Sequence, residues 1–207
     1  MSKDLVIVDV DDVLLDLNKS VARRLRGMGY TFCSEENFVT YDLNKSIDIL
    51  MLPLNNRNLM SNGLGCPREL ILSCYKDVES FKGASLTDNF YKGLKLLSEN
   101  FNVLVHTNSF SLQIVKFKID LFERLCSDLD LNFSFCVGDD KPHYEDVFAV
   151  FEDCVENLLK YSDDCLKLLV DKPHNRELFN HDKLCEAKNL QRVENFYGGV
   201  QYLLRRC

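Results

Sequence analysis

No stretch of this 207-residue sequence holds 18 consecutive apolar residues, so no helix of the kind that spans a bilayer is expected. The opening Met1-Ser2-Lys3-Asp4 leads straight into a strand-like run, without the long apolar segment and cleavage site of a secretory leader. No basic block occurs, and the net charge is -7. That balance speaks against a nucleic-acid duplex as the main partner, because phosphate backbones demand clustered Lys and Arg. It still admits a small phosphorylated substrate, since a metal ion and one lysine can supply local positive charge. None of the nine cysteines stands in a Cys-x-x-Cys pair, which sets aside a zinc site or a redox motif. They read as reduced thiols serving as small hydrophobes in a cytoplasmic protein. Internal repeats and low-complexity tracts are also missing.

What is present is enough for a sizeable core. The chain is 46% hydrophobic and 28% charged, as suits one domain, or one core domain with a small insertion. The organising stretch is Leu5-Val6-Ile7-Val8-Asp9-Val10-Asp11-Asp12-Val13-Leu14. Its apolar half reads as a strand of a parallel sheet, buried on both faces. It runs into three carboxylates, Asp9, Asp11 and Asp12, which repel one another and are costly to desolvate. A divalent cation would relieve that repulsion, and hard oxygen ligands suit Mg²⁺. The bland alternative is a strand leaving into an acidic, solvated loop.

Further along, Asp16–Met28 reads as a helix with Val21, Leu25 and Met28 on one face, ended by Gly27 and Gly29. Residues 30–81 carry helical pieces, Asn-rich turns and two prolines, but no buried-parallel strand. Leu86–Asn100 is amphipathic, with Phe90, Leu94 and Leu97 on one face. Phe101–Ser109 is a second strand, Ser111–Cys126 a helix, Asn132–Val137 a third strand, Val147–Phe151 a fourth and Cys165–Val170 a fifth. Arg192-Val193 precedes a final helix near Asn195–Arg205. Such alternation implies right-handed crossovers and an α/β, Rossmann-like parallel sheet with helices on both faces. In an open sheet of this kind, ligands bind at the carboxyl ends of the strands.

Four strand ends carry polar groups: Asp9 and Asp11, then Thr107, then Lys141 beyond the third strand, then Glu152 with Asp153. In this order they resemble the four motifs of the haloacid dehalogenase superfamily, across most of the chain. Asp12 stands where that family usually has Gly. The resemblance implies a core of residues 1–16 and 82–207, with a helical cap of residues 17–81 inserted after the first strand. It implies that Asp9 is the nucleophile and Asp11 the general acid/base, with Thr107 and Lys141 holding the phosphoryl oxygens. Asp9, Asp11 through its main-chain carbonyl, and Asp153 would bind Mg²⁺, with Glu152 as a further or alternative ligand. Dehalogenation does not use the functions Asp11 supplies, so phosphoester hydrolysis is the expected reaction.

Three further stretches resemble the 5'(3')-deoxyribonucleotidases. They are Gly29–Leu43 at the start of the cap, Leu168–Asn175, and Arg192-Val193-Glu194-Asn195-Phe196. That likeness implies a nucleoside monophosphate substrate, with Tyr41 and Asn108 in contact with it; a homodimer is compatible with it. Those enzymes often have Thr-Ser-Pro where this chain has Thr107-Asn108-Ser109. The alternatives are a phosphatase of another small phosphoester, such as a sugar phosphate, and a catalytically weak nucleotide-binding protein.

Each candidate also has a plainer reading. Thr107 could cap the next helix. Lys141 could be a solvated turn residue. Glu152 and Asp153 could complement a helix dipole. Tyr41 could belong to the cap core. His106 reads as a core or supporting residue, and His143, His174 and His181 as surface.

Overall fold

The computed structural model describes residues 3–30, 33–37, 68–138, 146–176 and 187–207. Six parallel strands form one sheet: β1 (Leu5–Val8), β2 (Asn102–Thr107), β3 (Ser134–Val137), β4 (Val147–Glu152), β5 (Leu166–Val170) and β6 (Leu190–Val193). They lie in the order β3-β2-β1-β4-β5-β6. The chain winds outward in one direction from β1 and then in the other from β4, so the topological switch point falls between β1 and β4. In open sheets of this kind ligands bind at such a point, beyond the strands' carboxyl ends.

The side-chain period of two explains how β1 is buried on both faces. Val6 and Val8 join one large cluster, with Phe151, Val170, Phe196 and Leu203, while Ile7 joins a second with Val150, Val155 and Leu169. The helices α1 (Leu17–Gly27), α2 (Arg68–Lys76) and α3 (Val78–Lys82) build a third cluster around Val21, Leu25, Ile71 and Phe81. Ile114 joins it from α5 (Leu112–Leu129). The two helices α4 (Phe90–Asn100) and α7 (Phe196–Leu204) pack closely, because a Cβ on Gly93 would come within 2.5 Å of the Phe196 ring. A one-turn helix, α6 (Val155–Leu158), follows β4. No helix among the described residues is long and apolar enough to cross a membrane.

The parallel α/β sheet agrees with the sequence reading, with three differences. Leu190–Val193 is a sixth strand, paired with β5 from Lys167–Leu190 to Val170–Val193. The helix expected from Leu86 begins at Phe90, because Asn89 takes a left-handed conformation (φ 56°). Met28, expected on the buried face of α1, is exposed. Of the expected cap, residues 31, 32 and 38–67 lie outside the described residues.

Candidate active site

Val8 is the last residue of β1, and the main chain stays in the sheet for one more step: the Asp9 N–H donates to Phe151 O at 3.0 Å. The chain then curls tightly, with Leu14 and Leu15 N–H groups both donating to Val10 O at 2.9 Å. This turn brings the three carboxylates round the end of the sheet. Its sharpest point is Asp12, at φ 57°, a left-handed conformation that Gly or Asn or Asp adopts most readily. The Asp found where Gly is usual therefore keeps the backbone shape and adds a carboxyl.

From the neighbouring strand, β4 delivers Glu152 and Asp153. The side-chain oxygens of Asp9, Glu152 and Asp153 lie within 4.8 Å of one another, and all three residues are buried. Glu152 is further tied by Asn157, whose Nδ2 donates to its Oε1 at 3.0 Å. Three buried, convergent carboxylates offer only hard oxygen donors, the set that suits Mg²⁺. Asp12, Asp153 and His174 make an adjoining group that shares Asp153.

Asp12 Oδ1 accepts the Asn18 main-chain N–H at 3.0 Å. Burial, and then the Asp153 carboxylate, push the Asp12 pKa up to about 8. Asp12→Asn keeps the left-handed turn and the acceptor for Asn18, and removes the cost of neutralising a buried carboxyl that is ionised in the unfolded chain. The metal-free protein should gain about 1 kcal/mol, or about 2–4 °C in melting temperature for a chain of this size. Thermal scans at pH 7.5 in EDTA check this; a lower melting temperature for the variant would contradict it.

The opposite wall is formed by β2 and α5. Thr107 ends β2 fully buried, and it does not cap the next helix. Ser111 does, accepting the Ile114 N–H on its Oγ at 3.4 Å. The Thr107 hydroxyl donates to Asn108 O at 3.1 Å and accepts from Lys118 Nζ at 2.7 Å. Lys118 was not among the residues expected from the sequence. Its Nζ also donates to Asp11 Oδ2 at 2.7 Å and to Asn108 O at 3.0 Å, beneath the Phe81 ring. The side chain is wholly buried. A buried ammonium is costly unless paired, and here one cation joins the second aspartate of β1's turn to the hydroxyl at the end of β2. A clue lay in the helix pattern: Ile114, Lys118, Phe122 and Leu125 share one stripe, and the other three are core residues.

Lys141 and Tyr41 lie outside the described residues, as do His143 and His181. His106 is buried on β2, as expected of a core or supporting residue. His174 is the clear correction. It was read as surface, but it is 3% exposed, with Nε2 lying 2.8 Å from Asp153 Oδ2. The 3-10 turn Pro173–Asn175 folds it back under the sheet end. Burial pushes its pKa below the ordinary imidazole value, against the pull of Asp12.

No family model matches the chain, and no curated protein sequence does. Solved structures do match over nearly the whole length. A haloacid dehalogenase-like hydrolase from Streptococcus pneumoniae superposes with a TM-score of 0.55 at 13% identity, covering 97% of this chain and 98% of that one. A HAD family hydrolase from Deinococcus radiodurans, solved with bound phosphate and sodium, gives 0.56 at 15% identity, covering 99% and 96%. The HAD-hydrolase YfnB from Bacillus subtilis, bound to magnesium, gives 0.53 at 14% identity, covering 100% and 99%. At these identities the likeness is one of fold, and it coincides with carboxylates gathered at the carboxyl ends of β1 and β4. The chain has the fold of the haloacid dehalogenase-like hydrolases.

Proposed function

We propose that this chain is a Mg²⁺-dependent phosphomonoesterase acting through an aspartyl-phosphate on Asp9, with a nucleoside monophosphate as its substrate. The observation that carries the reading is the joint placement of Asp9, Asp11, Thr107, Lys118 and Asp153 at one end of the sheet, with Lys118 bonded to both Asp11 and Thr107. Phosphoryl transfer asks for this kind of site, in which positioning and charge neutralisation outweigh elaborate covalent chemistry. The Deinococcus relative holds phosphate and the Bacillus relative magnesium, the two species for which these residues are suited. The nucleotide preference rests on the resemblance of Leu168–Asn175 and Arg192–Phe196 to deoxyribonucleotidases. Seven free cysteines among the described residues suit a cytoplasmic setting.

Asp9, Glu152 and Asp153 would hold the metal, with the main-chain carbonyl of Asp11 as a further ligand. Bound there, Mg²⁺ would neutralise the crowded carboxylates and draw charge from the phosphoryl oxygens. An Asp9 carboxylate oxygen attacks phosphorus, and the bond to the leaving oxygen breaks. Asp11, which takes up a proton when the phosphoryl group draws Lys118 away from it, gives that oxygen the proton. In the second half-reaction Asp11 takes a proton from water, whose oxygen attacks phosphorus and frees Asp9 and inorganic phosphate. Thr107 and Lys118 hold the non-bridging oxygens, with Asn108 beside them. A phosphoryl group seated at Lys118 takes over its ammonium and leaves Asp11 to face the leaving group.

The test is a phosphate-release panel over ribo- and deoxyribonucleoside monophosphates and sugar phosphates, with Mg²⁺ and with EDTA. Mg²⁺-dependent release from nucleotides is expected. Preference for a sugar phosphate would move the substrate class, and no release from any phosphoester would leave a nucleotide-binding protein. Because the metal relieves repulsion between buried carboxylates, millimolar Mg²⁺ should also raise the melting temperature by several degrees. A scan without any shift would remove the metal from the site.

A further inference from the structure

A line of polar contacts runs from α2 to the Asp153 carboxylate. Tyr75, near the end of α2, donates its hydroxyl to Asn18 Oδ1. Asn18, on the first turn of α1, places Nδ2 3.2 Å from His174 Nδ1. His174 Nε2 in turn lies 2.8 Å from Asp153 Oδ2. Asn18 and His174 are both buried.

The chemistry of the members gives the line a direction. Burial, then the negative charge of Asp12 and Asp153, hold the Tyr75 pKa well above its ordinary value, so the phenol keeps its proton and acts as donor. A donor must meet the amide oxygen, which turns the Asn18 NH₂ toward His174. An amide NH₂ can only donate, so Nδ1 of the ring must be bare. A neutral imidazole then carries its single hydrogen on Nε2, facing Asp153. The reverse arrangement would set an imidazole lone pair against a carboxylate. In this tautomer Nδ1 faces the Asn18 amide and Nε2 carries the hydrogen, so the ring offers no lone pair toward Asp12 and Asp153.

The residue beside His174 holds the same aspartate by its main chain. Asn175 Nδ2 donates to Asp153 O at 2.8 Å and to Val170 O at 2.7 Å. Arg192 Nη1 donates to Asn175 Oδ1 at 2.7 Å. The Pro173-His174-Asn175 turn therefore bonds the Asp153 backbone and sets an imidazole against its carboxylate.

We infer that Tyr75, Asn18 and His174 are positioning residues that fix the rotamer of Asp153 and set the affinity of the site for its divalent cation. The inference rests on the metal-site reading above. It reaches further, because it makes the seating of α2, a helix of the segment expected to form the cap, felt at the metal. Partners that orient a metal-binding carboxylate are worth about 10–100-fold in metal affinity.

The experiment is Mg²⁺ titration calorimetry on the full-length, EDTA-treated protein, paired with thermal scans in EDTA. Tyr75→Phe removes one oxygen that is separated from Asp153 by Asn18 and His174 in the line, and His174→Asn removes the ring that faces Asp153. The dissociation constant for Mg²⁺ should rise about 10-fold or more in His174→Asn. It should rise measurably in Tyr75→Phe, with the metal-free melting temperature of Tyr75→Phe close to wild type. Constants within twofold of wild type in both variants overturn the inference and leave the three residues as packing. Absence of Mg²⁺ binding by the wild type overturns the metal-site reading and this inference with it.

If His174→Asn does not fold, Tyr75→Phe and the wild-type ring carry the test. In ¹⁵N-labelled wild-type protein at pH 7.5, long-range ¹H–¹⁵N correlation should show a bare Nδ1 and a protonated Nε2 for a buried histidine. No buried histidine with that pattern would overturn the stated direction of the line.

Discussion

Lys118→Met lowers kcat/KM for a phosphomonoester by at least about 10², while the protein still folds. Methionine keeps most of the volume of the buried stem and so limits the cavity. What it removes is the ammonium that joins Asp11 Oδ2 and Thr107 Oγ1, each at 2.7 Å. A cation held in a dry pocket against a developing phosphoryl charge contributes a few kcal/mol to the transition state, the size of the expected loss. Some stability goes too, because Asp11 loses the Lys118 ammonium; thermal scans measure that separately. Lys141→Ala, made in parallel, ranks the two lysines. A loss in Lys118→Met that exceeds the loss in Lys141→Ala gives the phosphoryl-holding role to Lys118. Near-wild-type kinetics in Lys118→Met would make its contact with Asp11 and Thr107 purely structural.

Lys118 also shows where a sequence stops being legible. The fold could be read because β1, β2, β4 and β5 are apolar runs between turn residues, and their ends announce themselves by abrupt changes to Asp, Thr or Glu. The last strand could not be read that way. Leu190–Val193 has two polar members, Gln191 and Arg192, and only Val193 is buried, as suits the open edge of a sheet. Burial on one side leaves no continuous apolar run to notice.

The carboxylates were legible because the turn after β1 holds three of them within four residues. Lys118 was not, since it meets Asp11 from 107 positions away and sits mid-helix among apolar residues. Only its place on a buried stripe marks it. His174 was misread for a related reason. Beside Lys172 and Arg176 it looks like a surface turn, and nothing local tells that Asn175 and Pro173 fold it inward. Asp12 stood out as a departure from the family's pattern, but its cost becomes visible only when the fold buries it and brings Asp153 from another strand.

Asp11→Asn abolishes turnover of nucleoside monophosphates yet leaves half of the reaction intact with an activated ester. The proposed role of Asp11 is acid in the first step and base in the second. Asparagine keeps the main-chain carbonyl and a similar shape, and it can still accept from Lys118, but it neither gives nor takes a proton at neutral pH. A nucleoside alkoxide needs that proton in order to leave; p-nitrophenolate does not. With p-nitrophenyl phosphate, Asp9 can therefore attack and release nitrophenolate. The aspartyl-phosphate then persists, because no base activates the water. Rapid quench should show a burst of about one nitrophenolate per site followed by slow turnover, the mark of an accumulating covalent intermediate. With a nucleoside monophosphate neither burst nor turnover should appear, and the steady-state rate should fall by at least about 10². Wild-type rates on both substrates would end the two-carboxylate mechanism for this chain. No burst in Asp11→Asn, together with retained activity in Asp9→Asn, would move the nucleophile away from Asp9.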